Sequence, residues 1–178
     1  KRIPVNCLEK SRWLITGATG AIMTYFIQFL LYANAFILVN KCHLFLLCRS
    51  KEKLFSRLGI DDDEMFVTVI EQDVCSPVLM SEEVDYIIHG AGVSSSRLFQ
   101  KIPVDVILPN VIGLRNILDW AKDMHPKSIL FLSSGSVYGQ ISENINSINE
   151  TMYFSDDFSN INSCYTEAKR MGELLISA

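Results

Sequence analysis

A chain of 178 residues is long enough for one domain with a sizeable core, and 49% apolar with 20% charged residues is an ordinary soluble globular composition. With 16 basic against 20 acidic side chains the net charge is −4, so no basic field exists to recruit nucleic acid or an anionic membrane. Five cysteines (Cys7, Cys42, Cys48, Cys75, Cys164) are scattered, odd in number and never in CxxC spacing, which argues against a disulfide framework and a zinc site and fits reduced thiols in the cytoplasm.

In chain order, residues 13–16 (WLIT) form a short apolar strand ending at Gly17, where a glycine signals a turn or a close backbone approach. Residues 21–33 carry apolar side chains at helical spacing. The apolar stretch 25–39 falls short of the about 20 residues a membrane span needs. Gln28 and Asn34 interrupt it, so it reads as a buried helix running into a loop. The N-terminus, KRIPVNCLEK, lacks the apolar core of a signal peptide. Residues 43–48 (HLFLLC) suit a buried second strand, 51–58 a small polar helix and 61–64 (DDDE) a solvated turn. A third strand is expected over 65–70 (MFVTVI), a fourth over 84–88 (VDYII) and a fifth over 128–132 (SILFL). A long helix spans about 103–124, and Pro109 inside it should bend it or mark a late start. Residues 140–162, rich in Asn and Ser, read as a long loop, and a last helix starts near Cys164. Short apolar strands alternating with helices predict an α/β fold: a Rossmann-type, doubly wound parallel sheet in three αβα layers.

Two local patterns carry chemistry. After the first strand stands TGATGAIM, residues 16–23. Glycines at a strand-to-helix turn let the backbone approach a pyrophosphate, and the helix N-terminus adds free N–H groups and a positive dipole end. Near the C-terminus stands YTEAK, in which Tyr165 and Lys169 share one helix face. A neighbouring ammonium favours the phenolate that a general base requires.

Together with FLSSGSVYG at 131–139, these motifs resemble those of the extended short-chain dehydrogenases/reductases, the NAD-dependent epimerase/dehydratase family, in its nucleotide-sugar-modifying branch. The likeness runs from Trp13 over nearly the whole chain, and CYTEAKRMGE, with Arg170 and Glu173, carries the sugar-nucleotide flavour. Gly17 and Gly20 match the first two glycines of the family's TGxxGxxG loop, with Thr19, Ala21 and Ile22 beside them. Met23 replaces the third glycine, so its thioether has to push the helix outward or turn aside. The resemblance implies one NAD(P)-binding domain over residues 1–178, with the family's C-terminal substrate-binding subdomain absent. It implies further cofactor contacts from Asp73 and Val74, from Gly90, Ala91 and Gly92 after His89, and from Asn110, Ser133, Tyr165 and Lys169. The second strand ends in Cys48-Arg49-Ser50, with no acid for a ribose 2′-hydroxyl and an arginine for a 2′-phosphate, so NADP is favoured over NAD.

The implied catalytic set is Ser134, Tyr165 and Lys169. Tyr165 takes the proton of a sugar hydroxyl as hydride passes to the nicotinamide, Ser134 holds the substrate oxygen, and Lys169 also bonds the ribose. Dehydratases of the family place an Asp-Glu pair directly after this Ser/Thr, and the related sugar-acid decarboxylases carry the Glu; here Gly135 and Ser136 stand there. The expected activity is thus an epimerase or reductase acting on a nucleotide-activated sugar. A dehydratase or decarboxylase, or a catalytically inactive dinucleotide-binding fragment, is the alternative. The family commonly dimerises through the helices at 103–124 and 164–178; Ile107, Ile117, Leu118, Leu174 and Leu175 suit either a homodimer bundle or the covering of the sheet.

Overall fold

The computed structural model describes residues 5–141 and 145–178. Five parallel strands, β1 (Arg12–Thr16), β2 (His43–Cys48), β3 (Val67–Glu71), β4 (Tyr86–His89) and β5 (Ser128–Phe131), lie in the order β3-β2-β1-β4-β5. The register sets Thr16 beside both Leu47 and His89, and Cys48 beside Glu71, so the C-terminal strand ends form one rim. This is the doubly wound sheet expected, with strand limits displaced by a residue or two; β4 runs through His89 instead of stopping at Ile88.

Strands buried on both faces explain the unbroken apolar runs. Ile15, Leu44, Leu46 and Ile88 pack under α1 (Ala21–Phe36) and α2 (Lys51–Leu58). Their neighbours Leu14, Phe45, Leu47 and Ile87 face the other way and join Ile117 and Ala121 of α5 (Leu114–Met124). α3 (Ser96–Phe99), α4 (Pro103–Leu108) and α6 (Cys164–Ser177) complete the fold.

Two expectations are corrected. The helix over 103–124 is three pieces, because a five-residue π turn, Pro109–Gly113, separates α4 from α5. Pro109 has no N–H to offer, and its ring excludes the carbonyl four residues back, so the ladder widens there. The stretch 25–39 is not buried throughout. Met23, Ile27, Leu30 and Ala33 turn inward, whereas Tyr25 is 77% and Phe36 74% exposed. No helix among the described residues is long and apolar enough to cross a membrane. Part of the 140–162 loop, residues 142–144, lies outside the described residues; the remainder holds only the short 3-10 turn Ile161–Ser163 ahead of α6.

Candidate active site

The chain reverses its winding between β1 and β4, and a cleft opens there at the C-terminal strand ends, where open α/β sheets bind ligands. Its wall is built from the loop after β1 (Gly17, Thr19, Gly20), the end of β2 (Cys48, Arg49), the segment after β3 (Gln72, Asp73, Val74) and the segment after β4 (Gly90, Ala91, Gly92), with Pro109. Gly17 has φ +68°, and a Cβ there would stand 2.5 Å from the Gly90 carbonyl carbon. Only glycine allows that approach. Gly20 caps α1 in extended conformation and no side chain caps the first turn, so Ala21 and Ile22 begin the helix with backbone donors unclaimed by side chains.

Each wall segment is tied down. Asp73 accepts the N–H of Cys75 at 2.8 Å, and Val74 packs on Gly113, with its carbonyl accepting from Asn116 at 3.1 Å. Gln72 donates to the Pro77 carbonyl at 2.8 Å and so folds the loop after β3 back on itself. Arg49 has no ion-pair partner among the described residues. Ser50 caps α2 by accepting from the Lys53 N–H. The carboxylate missing from the end of β2 arrives from the next strand, because Glu71 accepts the Lys51 N–H at 3.0 Å.

His89 is fully buried behind this wall. Its Nδ1 meets the Thr16 hydroxyl and its Nε2 the Pro109 carbonyl, both at 3.1 Å. Thr16 Oγ1 also accepts the Ala91 N–H at 3.2 Å. Burial pulls His89 down to about 4, so the imidazole is neutral and acts as a tie between β1, β4 and the π turn. Beside that tie, Asn110 donates to the Val106 carbonyl at 2.8 Å, but its Oδ1 is buried with no partner. That oxygen would stand 3.1 Å from a Cβ built on Gly92.

The expected catalytic residues sit on two elements that pack together, α6 and the 3-10 turn Gly135–Tyr138. Ser134 caps that turn, accepting the Ser136 N–H at 3.2 Å and the Ser136 hydroxyl at 3.1 Å. Ser133 points instead to Glu173 of α6. Lys169 is buried; its ammonium donates to the Leu132 carbonyl and lies 4.5 Å over the Phe131 ring and 5.8 Å from the centre of the Tyr165 ring. Burial pulls it down to about 8. Ser134, Tyr165 and Lys169 lie outside the lining of the glycine cleft.

Sequence reading missed three contributors. Phe99 stacks on Tyr165. Glu71 occupies the start of α2. Arg170, noted only as a family trait, donates to the carbonyls of Val137 at 2.7 Å and Phe154 at 3.0 Å and to Glu167, so it fastens the Ser134 turn to α6. Its position directly after YxxxK was the available signal.

Residues 13–178 match the family model of the NAD dependent epimerase/dehydratase family. The chain is 32% identical over 170 residues to UDP-glucuronic acid decarboxylase 3 of Arabidopsis thaliana, covering 96% of this chain and 46% of that protein. UDP-glucuronic acid decarboxylase 5 of the same plant is 31% identical, covering 96% and 47%. The chain thus spans about half the length of the curated relatives it matches. In fold it resembles the UDP-N-acetylglucosamine 4-epimerase from Methanobrevibacter ruminantium, with TM-score 0.75, 19% identity and coverage of 95% and 50%. It also resembles the UDP-glucuronic acid 4-epimerase from Bacillus cereus in complex with NAD, with TM-score 0.68, 20% identity and coverage of 93% and 51%. On its loop, its sheet order and this match over nearly all its length, the chain belongs to the NAD-dependent epimerase/dehydratase family.

Proposed function

We propose that this chain is the dinucleotide-binding half of a nucleotide-sugar epimerase or reductase with Tyr165 as its general base. The observation that carries the reading is the packing of the Ser134 turn against the helix bearing Tyr165 and Lys169, in a fold with a glycine-walled cleft at the sheet's switch point. A dinucleotide fits the residues present. Gly17 leaves no room for a Cβ, α1 starts with uncapped donors, and Asn110 keeps an unpartnered buried oxygen beside Gly92. Gly17, Thr19, Gly20, Ala21 and Ile22 would hold the diphosphate, and Asp73 and Val74 the adenosine. Gly90, Ala91, Gly92, Asn110, Ser133 and Lys169 would hold the remainder. The bound nicotinamide would supply the acceptor and donor of hydride.

Tyr165 then removes the proton of a sugar hydroxyl. Lys169 shares its helix face and sets its ammonium 5.8 Å from the centre of the Tyr165 ring. Ser134 already accepts two hydrogen bonds from Ser136, which fills its oxygen and leaves its own proton to donate to the substrate oxygen. The guanidinium of Arg49, without an ion-pair partner among the described residues, supports NADP over NAD. Five free thiols fit a reducing, cytoplasmic setting.

Titration of the purified chain with NADP(H) and NAD(H) tests the reading. The expected result is micromolar affinity, tighter for the 2′-phosphorylated form and weakened by Arg49→Asp. No binding at millimolar concentration by a folded protein would falsify it.

A second reading, sugar-acid decarboxylation, is favoured by the relatives' own activity. Against it, Gly135 and Ser136 supply no carboxylate after Ser134. Incubation with UDP-glucuronic acid separates the two, since released carbon dioxide supports the lyase and a 4-epimer supports the first reading. A homodimer is also proposed. Ile117 is fully buried and belongs to the sheet, but Val104, Leu108 and Ile112, with Met171 and Leu174 of α6, leave apolar side chains exposed on these two packed helices. Sedimentation should show a dimer that Leu174→Glu disrupts.

A further inference from the structure

Met23 is the third residue of α1 and 4% exposed. It neither pushes into solvent nor turns away from the sheet; it lies in the core with Ile15, Ala18, Ile27 and Ile88. The space it fills is the space Gly90 lacks a side chain to fill. A Cβ on Gly90 would stand 2.9 Å from Met23 Cγ, 3.1 Å from Sδ and 3.2 Å from the Thr16 carbonyl oxygen. On its other side the same Gly90 peptide touches the phosphate loop. A Cβ on Gly17 would stand 2.5 Å from the Gly90 carbonyl carbon and oxygen and 2.7 Å from the Ala91 nitrogen. Gly90 is therefore a single backbone layer between the Met23 thioether below and the Gly17 turn above.

Interiors are packed densely enough that added or lost volume moves neighbours. An unbranched thioether adapts to an irregular gap better than a branched side chain. Volume added at position 90 has two ways to go, outward against α1 or upward against Gly17. Volume removed at position 23 lets the Gly90–Ala91 peptide settle away from the loop.

We infer that Met23 and Gly90 are a size-compensated pair, in which the missing third glycine of the loop is balanced by a glycine across the cleft floor, making Met23 a positioning residue for the dinucleotide diphosphate. The inference rests on the dinucleotide reading above. It also predicts that the loop's departure from the family pattern leaves affinity intact.

The test is a double-mutant cycle in the chain as it stands, with Met23→Ala, Gly90→Ala and the double variant. Calorimetric NADP⁺ and NAD⁺ dissociation constants and thermal midpoints are both read. Gly90→Ala alone should weaken both dinucleotides about tenfold, and Met23→Ala alone several-fold. The double variant should return to within about threefold of the parent, because the small side chain at 23 now admits the methyl at 90. Losses that simply multiply in the double variant overturn the pairing. Single variants with lower midpoints but unchanged dissociation constants also overturn it, since Met23 would then be core filler only. If the parent binds neither dinucleotide, the cofactor reading and the positioning role fall together, while the packing pair is still judged by whether the midpoints couple. Should Gly90→Ala alone fail to fold, a folded, dinucleotide-binding double variant supports the pair and an unfolded one sinks it.

Discussion

Phe99 lies flat on Tyr165, with ring centroids 5.0 Å apart and planes 16° from parallel. The Cys164 thiol, one residue earlier, reaches the Phe99 carbonyl at 3.8 Å, so the four-residue α3 is docked on the start of α6 at the residue expected to act as base. Such a stacked pair contributes about 0.5–1.5 kcal/mol beyond its buried area. Phe99→Ala should lower the thermal midpoint by about 2–5 °C. Because Phe99 lies outside the lining of the glycine cleft, dinucleotide affinity measured by calorimetry should stay within about threefold of the parent. A larger loss of affinity would show that α3 shapes the cleft itself.

His89 makes stability depend on pH in a defined direction. Its folded value, about 4, is below the 6.5 of the free side chain. The unfolded chain therefore binds a proton that the folded chain refuses as pH falls through this window. Stability is complete above about pH 6.5, declines toward pH 4 by up to about 3 kcal/mol, and is flat in this respect below that. Urea unfolding at several pH values should show this slope. His89→Gln should be less stable at pH 7 yet flatter from 6.5 to 4. Equal slopes in the two proteins would assign the dependence to other groups.

Arg170 holds the Ser134 turn through two backbone carbonyls, and Gly139 shares that junction. With φ +81°, Gly139 sits where an added Cβ would meet the Phe154 carbonyl oxygen at 2.4 Å and Arg170 Nη2 at 2.8 Å. Arg170→Met should cost about 1–3 kcal/mol, since it strands those acceptors. Amide hydrogen exchange in the 134–140 segment should accelerate in the same variant. Gly139→Ala should be at least as damaging, for it combines a left-handed backbone with a clash. Unchanged exchange in Arg170→Met would remove the clip from the account.

Asn110 spends one half of its amide on Val106 and leaves the other unpaired in the interior. An orphan acceptor costs about 1–3 kcal/mol, which offsets much of what its good hydrogen bond contributes. Asn110→Ala should therefore shift the thermal midpoint by only a few degrees while weakening dinucleotide binding about tenfold. A variant that melts far lower and binds normally would mean that the oxygen has no ligand to meet.

Much of the fold was legible because buried parallel strands leave unbroken apolar words, such as HLFLLC, and because glycine and proline mark where the chain must turn. TGATG and YTEAK stood out as candidates because the chemistry proposed for them depends on local spacing. What stayed hidden depends on residues distant in sequence. Glu71 supplies a carboxylate to α2 only through the register that sets it beside Cys48. The fit of Met23 depends on an empty position at Gly90. α1 carries apolar residues on most of its circumference, with few polar ones such as Gln28 between them, so its helical spacing alone left open which side would face water. At Pro109 the sequence announced a bend or a late helix start, but the form taken, a π turn with Asn110 buried, goes with packing against α6 and the His89 bond to the Pro109 carbonyl.

That open side of α1 governs how these melts should be read. Tyr25, Tyr32 and Phe36 form an uncharged aromatic strip on the folded surface. Environment-sensitive dyes bind such strips, so a dye-based melt starts from a bright native baseline and loses its transition. Intrinsic emission is the sounder reporter. Trp13 meets Tyr86 at a tilt and Phe26 edge-on on the α1 side of the sheet, and Trp120 donates to the Met80 carbonyl on the α5 side. The two indoles watch opposite layers, and a single shared transition in their fluorescence would show that both layers unfold as one cooperative unit.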